Sequence, residues 1–384
     1  MQPITNTPAV FAVQGSYLDM GEQLGQQSAN LIEQSLNTYV QRFKDDAGLT
    51  DNDIDRWGER YWQILKSYNT DIAAMLEGMA RGSRQRVGRL AALNARTEIL
   101  YGSGYTEEGC TSVSVVSSHT ADGHTLIGQN WDWHPEQGPA TFLLATRDTN
   151  GFSVLSLTEA GMLAKSGLNS AGLGVCANLL VSDRDAGGHG VPYHYLLRGV
   201  LQARTMSKAH KAVLGVSRVS SGNILLADAD GESIDFELAP DDFGYLLPAD
   251  GMIVHANHFE SGLNLKDLKA GTSALTLLRS SRLRRLLEGK AQDRAVEVSD
   301  LISALRDTYS YPDGICRYPD PGVPGNEQVS TVYSVVMDLN TLDLWIAPGS
   351  PSENPYSRWN LHSLFTPGQQ PNLEFHPLEA AHVH

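Results

Sequence analysis

Cys110 follows Glu107-Glu108-Gly109 and opens a run with strand character, Thr111-Ser112-Val113-Ser114-Val115-Val116. A small residue before a cysteine that opens a strand suggests a chain that cuts itself between Gly109 and Cys110. The cut would make Cys110 a new N-terminus, with its thiol as nucleophile and its own α-amine, of pKa about 8, as base. Three further segments offer groups to complete such an acyl-transfer site. Gln129-Asn130-Trp131-Asp132-Trp133 puts Trp131 and Trp133 on one strand face and Asp132 on the other. His255-Ala256-Asn257-His258 ends the run Met252-Ile253-Val254, and the turn-rich stretch Tyr311 to Arg317 delivers an arginine. An amide such as Asn257 can donate to a tetrahedral oxyanion. An arginine near a thiol lowers its pKa and an aspartate can hold that arginine through a forked pair, a role open to Asp132 and Arg317.

The elements that must position these groups change character near Cys110. Residues 15 to 105 read as mostly helical, with apolar residues at helical spacing over Tyr17 to Phe43 and Tyr61 to Tyr101. Beyond Cys110 strands dominate. Ala121-Asp122-Gly123-His124 is a hairpin turn into Thr125 to Asn130, and strands are expected at 142–146, 152–158, 173–178, 224–228, 233–238, 329–338 and 342–347. Helices are expected from Pro192 to about Ala203, over Ser273 to Leu287 and over Val298 to Thr308. Blocks of helix and strand in this order imply antiparallel sheets covered by helical layers.

The 384-residue chain is 41% hydrophobic, enough for a large core, and its net charge of −15 argues against nucleic acid or an anionic membrane as partner. No apolar stretch approaches the roughly 18 residues of a membrane span and the first residues lack a basic-then-apolar leader, so a cytoplasmic protein is expected. Three cysteines, at 110, 176 and 316, form no CxxC pair, which favours reduced thiols over disulfides.

Several motifs stand in the order of one family: Gly109-Cys110-Thr111, Gly128-Gln129-Asn130-Trp131-Asp132, Thr158-Glu159-Ala160-Gly161, Gly167-Leu168-Asn169-Ser170-Ala171-Gly172, His255-Ala256-Asn257-His258 and Ile315-Cys316-Arg317. The chain resembles the isopenicillin N acyltransferase (acyl-coenzyme A:6-aminopenicillanic acid acyltransferase) family of self-processing N-terminal-nucleophile hydrolases. That resemblance implies an α+β fold, a four-layer αββα sandwich, cut into an α chain of residues 1–109 and a β chain of residues 110–384 that stay associated. It implies Cys110 as nucleophile, Asn257 as oxyanion donor and Asp132 with Arg317 as the charged pair. Thr111, Trp131, Trp133 and Glu159 are expected to bind substrate, with pocket lining from 101–108, 130–135, 162–166 and 178–180. The substrate implied is a small N-acyl amide, with β-lactam acyl side chains and β-alanyl amines both acted on within the family. No metal or other cofactor is expected, and a homo-oligomer is compatible with the sequence. The stretch around Ser117 to Asp122 is longer than in the fungal acyltransferase, which bears on the pocket mouth.

Plainer readings stand beside these. Cys110 would serve as an internal nucleophile if a separate base such as His255 acted on it, and the fold would persist in an inactive binding homologue. Asp132 and Arg317 would then be a structural ion pair and Asn257 a strand end. Cys176 and Cys316 read as packing residues, and Arg282, Arg284 and Arg285 as a solvated helix face. His255 and His258 lack the carboxylate cluster that would make them metal ligands.

Overall fold

The computed structural model describes residues 7–101, 109–185, 189–271, 275–366, 368 and 371–376. One sheet has eight strands in the order β1 (Val10–Gly15), β4 (Thr141–Asp148), β5 (Ser153–Glu159), β6 (Gly167–Asn169), β7 (Leu173–Asn178), β8 (Gly222–Asp228), β9 (Ser233–Leu238) and β10 (Phe243–Leu246). The other has seven, in the order β11 (Met252–His255), β2 (Gly109–Val115), β3 (Leu126–Trp133), β12 (Ser330–Asp338), β13 (Asp343–Pro348), β14 (Tyr356–Asn360) and β15 (Asn372–Glu374). All pairs are antiparallel except β1 with β4.

Alternation along β2 explains how the sheets stack. Ser112 and Ser114 point to the eight-stranded sheet, where Ser112 Oγ donates to Asn178 Oδ1 at 2.7 Å and Ser114 Oγ meets Ser233 Oγ at 2.6 Å. Val113 and Val115 point the other way and pack with Leu283 and Leu287. Those leucines belong to α9 (Thr276–Gln292), which with α10 (Val298–Leu305) covers the seven-stranded sheet. On the far side α1 (Tyr17–Gln27) and α7 (Tyr193–Leu201) pack on the eight-stranded sheet. Their layer is continued by α2 (Ala29–Asp45), α3 (Asp51–Tyr68), α4 (Thr70–Ser83), α5 (Val87–Asn94), α6 (Arg96–Tyr101) and α8 (Met206–Leu214). The order of layers is the αββα expected.

Within the first helical layer α1 and α4 touch backbone to backbone. A Cβ on Gly21 would lie 2.0 Å from the Met75 carbonyl oxygen, and one on Gly78 2.1 Å from that of Leu18. Only glycine permits this approach.

The helical reading of the first hundred residues needs three amendments. The periodic run Tyr17 to Phe43 breaks at Ser28, whose hydroxyl donates to the Leu24 carbonyl at 2.7 Å and ends α1. The rhythm from Tyr61 to Tyr101 is spread over α3 to α6, which turn at Asn69, Arg84 and Ala95. Residues 10–15, read as no element, form β1, so the segment before Cys110 contributes a strand as well as helices. Helix α8 and the short strands β6, β10, β14 and β15 were likewise not expected. Among the described residues no helix is long and apolar enough to cross a membrane.

Candidate active site

Strands β2 and β3 pair so that Cys110 faces Trp131 and Gly109 faces Asp132. Alternation sends Cys110, Trp131 and Trp133 between the two sheets and Gly109, Thr111 and Asp132 toward the helical side. Cys110 is 2% exposed. Its backbone N–H donates to Asn257 Oδ1 at 2.7 Å.

A residue that sequence reasoning missed holds this arrangement. Arg279, on α9, donates from Nη1 to the Cys110 carbonyl at 2.6 Å and to Thr111 Oγ1 at 2.9 Å, and from Nη2 to Asn257 Oδ1 at 2.8 Å. Burial lowers the Arg279 pKa, with the Asp132 carboxylate pulling the other way. The neighbouring arginines do lie toward solvent: Arg282 makes a forked pair to Asp307, both bonds 2.6 Å, and Arg285 is exposed. Helical phase separates them, because Arg279, Leu283, Leu287 and Ala291 form one buried stripe at intervals of four.

Asn257 has its oxygen fixed as an acceptor by two donors. Its Nδ2 gives one proton to the Leu179 carbonyl at 2.9 Å, and an amide nitrogen carries a second proton that can donate elsewhere. Its backbone N–H is capped by Thr276 Oγ1 at 2.8 Å, at the first residue of α9.

Asp132 is fully buried and accepts from Thr331 Oγ1 at 2.7 Å. Thr331 in turn accepts at Oγ1 from the Arg317 backbone N–H at 2.9 Å. The expected Asp132–Arg317 ion pair takes another form. Arg317 Nε is paired with Asp313 Oδ1 at 3.2 Å, four residues back in the same turn, while both catalytic candidates converge on Gly109. A Cβ on Gly109 would lie 2.9 Å from Asp132 Oδ2 and 3.4 Å from Arg317 Nη1.

Cys110 opens onto a cavity of about 30 Å³, room for a water or two. Of the segments expected to line it, Trp131, Lys165, Ser166 and Leu179 do so, and residues 102–108 lie outside the described ones. Gln129, missed by sequence reasoning, is legible in hindsight as the residue two before Trp131 on the same strand face. Leu157 and Ala177, from β5 and β7, and Thr97, from α6, with Tyr193, His194 and Leu197, from α7, complete the wall; the helical residues carry no sequence signal beyond an apolar helix.

Three residues expected at the substrate sit elsewhere. Thr111 faces α9 because it neighbours Cys110 on a strand. Trp133 lies farther along β3, its Nε1 donating to Tyr39 OH at 2.8 Å and its ring under Arg96 at 4.3 Å. Glu159 stands behind the wall, paired with Lys165 at 3.0 Å and Arg96 at 3.2 Å and accepting from Tyr39 OH. Burial pushes the Glu159 carboxyl up, but Lys165 and Arg96 outweigh it and hold the pKa below the usual value.

His255 does not serve Cys110. Its Nε2 meets Glu237 Oε1 at 2.8 Å and its Nδ1 the Ala256 carbonyl at 2.8 Å, so both ring nitrogens are engaged. Burial disfavours the imidazolium, yet Asp235 and Glu237 prevail and raise its pKa to about 9. Asp122, His124 and Asp338 bring ligand atoms within 4.8 Å of one another, at the opposite end of the β2–β3 hairpin from Cys110.

Comparison with known proteins agrees with the motif order. The family described as acyl-coenzyme A:6-aminopenicillanic acid acyl-transferase matches residues 119–353. The acyl-coenzyme A:6-aminopenicillanic-acid-acyltransferase 40 kDa form of Emericella nidulans is 27% identical over 280 residues, 72% of this chain and 74% of that protein. Among solved structures, a variant of the conjugated bile acid hydrolase from Clostridium perfringens is 15% identical, with 72% of this chain and all of that one covered at a TM-score of 0.47. Penicillin V acylase from Agrobacterium tumefaciens is 14% identical, with coverage of 66% and 87% and a TM-score of 0.42. With its family match spanning more than half its length, the chain belongs to the acyl-coenzyme A:6-aminopenicillanic acid acyl-transferase family.

Proposed function

We propose that this protein is an N-terminal-nucleophile enzyme that cuts itself between Gly109 and Cys110 and then cleaves or transfers the acyl group of small N-acyl amides. The observation that carries this reading is the Cys110 backbone nitrogen, held 2.7 Å from Asn257 Oδ1 beside the cavity that the thiol enters. That nitrogen becomes the α-amine when the preceding bond is cut. Its N–H still has Asn257 to donate to, and its lone pair can take the thiol proton.

In the precursor the Cys110 sulfur attacks the Gly109 carbonyl. The C–N bond breaks as the C–S bond forms, the thiol proton passes to the nitrogen, and water then hydrolyses the thioester to a Gly109 carboxylate and the Cys110 thiol. Residues 1–109 and 110–384 thereby become α and β chains, joined by the β1–β4 pairing and the shared core. In the mature protein the amine takes the thiol proton and the thiolate attacks the substrate carbonyl. The Asn257 amide receives the oxyanion, and the leaving amine departs with the proton. Water or a second amine then takes the acyl group from Cys110. The transferase name of the Emericella nidulans relative favours an amine acceptor, while the room for a water or two beside the thiol suits hydrolysis.

An internal cysteine served by His255 is the weaker reading, since both nitrogens of that ring are engaged away from the thiol. Intact mass spectrometry of wild type and Cys110→Ala tests the choice. Two fragments meeting at Gly109/Cys110 in wild type and one unbroken chain in the variant are expected. One chain in both would overturn the self-processing mechanism.

A further inference from the structure

The motif Gly128-Gln129-Asn130-Trp131-Asp132 contains an asparagine that the chemistry above does not use. Asn130 is fully buried on β3 and shares with Asp132 the face turned to the helices, across the strand pair from Thr111. Its Nδ2 donates to the Leu305 carbonyl at 2.8 Å and to the Ile315 carbonyl at 2.9 Å. Leu305 ends α10 and Ile315 stands two residues before Arg317, so both protons of one amide close the segment 306–314 onto the strand that pairs with the one bearing Cys110. Asn130 Oδ1 is buried and meets no hydrogen-bond partner among the described residues. Turning the amide over would set that oxygen against two carbonyls, so the two donated bonds alone fix its orientation. A side chain serving packing alone would not bury an unpaired acceptor, whereas one that ties down a turn needs both donors of an amide.

The bonds that follow carry this hold to Arg317. The Cys316 backbone N–H donates to the Asp307 carbonyl at 2.9 Å. The Arg317 backbone N–H donates to Thr331 Oγ1 at 2.9 Å, and the Arg317 carbonyl accepts from the Thr331 backbone N–H at 2.9 Å. With the backbone held at Ile315 and again at Arg317, the guanidinium Nη1 comes to 3.4 Å from where a Cβ on Gly109 would stand. We infer that Asn130 is a positioning residue for the cut: it holds the 315–317 stretch against β3 so that the Arg317 guanidinium stays beside Gly109. There its charge favours the Cys110 thiolate and the oxyanion that forms on the Gly109 carbonyl. Asn130 touches no reacting atom and acts through Arg317. This role rests on the self-processing reading of Cys110.

Self-cleavage is timed by intact mass after cell-free synthesis of wild type, Asn130→Ala, Arg317→Ala and the double variant. Asn130→Ala should slow the cut by about tenfold to a hundredfold, the range of coupling within one hydrogen-bond network. On top of Arg317→Ala it should change the rate by no more than about twofold, the scatter expected of independent sites. The wild-type rate in Asn130→Ala, or the same slowing with and without Arg317, would overturn the role, since a merely structural residue slows both backgrounds alike. If Asn130→Ala does not fold, Asn130→Asp, which keeps the shape and, when neutral, one donor, takes its place in the same cycle. A second measurement needs no cleavage. In the Cys110→Ala protein the Arg317 Nε–Hε resonance, assigned by its loss in Arg317→Lys, should shift or broaden when Asn130→Ala is added, and an unmoved resonance overturns the role whatever the rates. A wild type that never cuts, with the resonance still displaced, would instead count against self-cleavage and leave the hold of Asn130 on Arg317 standing.

Discussion

Arg279 Nη2 lies 2.8 Å from Asn257 Oδ1, so the guanidinium and the Cys110 backbone N–H share one acceptor. Two donors on that oxygen remove the ambiguity of the side-chain amide and turn its NH₂ group away from Cys110 N. Because Arg279 Nη1 also grips the Cys110 carbonyl, one side chain sets the Cys110 backbone on both flanks.

Arg279→Lys keeps a charge but replaces a planar fork with a single point that cannot reach three acceptors. Self-cleavage and, in the fraction that is cut, kcat should each fall by about a hundredfold, the scale on which a lost oxyanion donor acts. A time course by intact mass, with kcat on the processed fraction, checks this. Processing at the wild-type rate would mean that Asn257 holds its orientation without Arg279.

Gly109 owes its identity to the space around Asp132. The 2.9 Å that would separate a Cβ on residue 109 from Asp132 Oδ2 is too short to persist, and Thr331 keeps the carboxylate from swinging away. Gly109→Val should accumulate as uncut chain with the fold retained, and Gly109→Ala should cut more slowly than wild type. Fraction cleaved at fixed times, read by mass, decides the order. Equal rates for all three would show that Asp132 moves aside before the cut.

How much of this was legible follows from where each residue sits. Cys110, Trp131 and Asp132 lie on one hairpin whose strands alternate cleanly, so their faces could be assigned from sequence. Arg279 was hidden among Arg282, Arg284 and Arg285, where composition suggests a wet face and only the stripe through Leu283 and Leu287 says otherwise. Glu159 ends β5 and Lys165 stands two residues before β6, a spacing that does not reveal that the lysine lines the cavity and the glutamate does not. Strand β1 pairs with β4, far along the chain, and no local pattern signals a partner that distant.

His255 and Glu237 form a buried charged pair behind the strand that leads to Asn257, and its pH dependence has a definite sign. The folded pKa of about 9 stands above the ordinary histidine value of about 6.5. The pair's stabilisation is thus complete below pH about 6.5 and is lost as pH rises through about 9. Asp235, raised by burial to about 6, is ionised throughout the upper part of that range and does not confuse the reading. Urea unfolding of wild type and His255→Gln at pH 7 and pH 9.5 should show a stability difference that shrinks by about 2 to 3 kcal/mol across the interval. A difference that stays constant would mean that the imidazole is neutral in the fold, and that Glu237 is balanced instead by Ser261 and the Glu260 amide that also reach it.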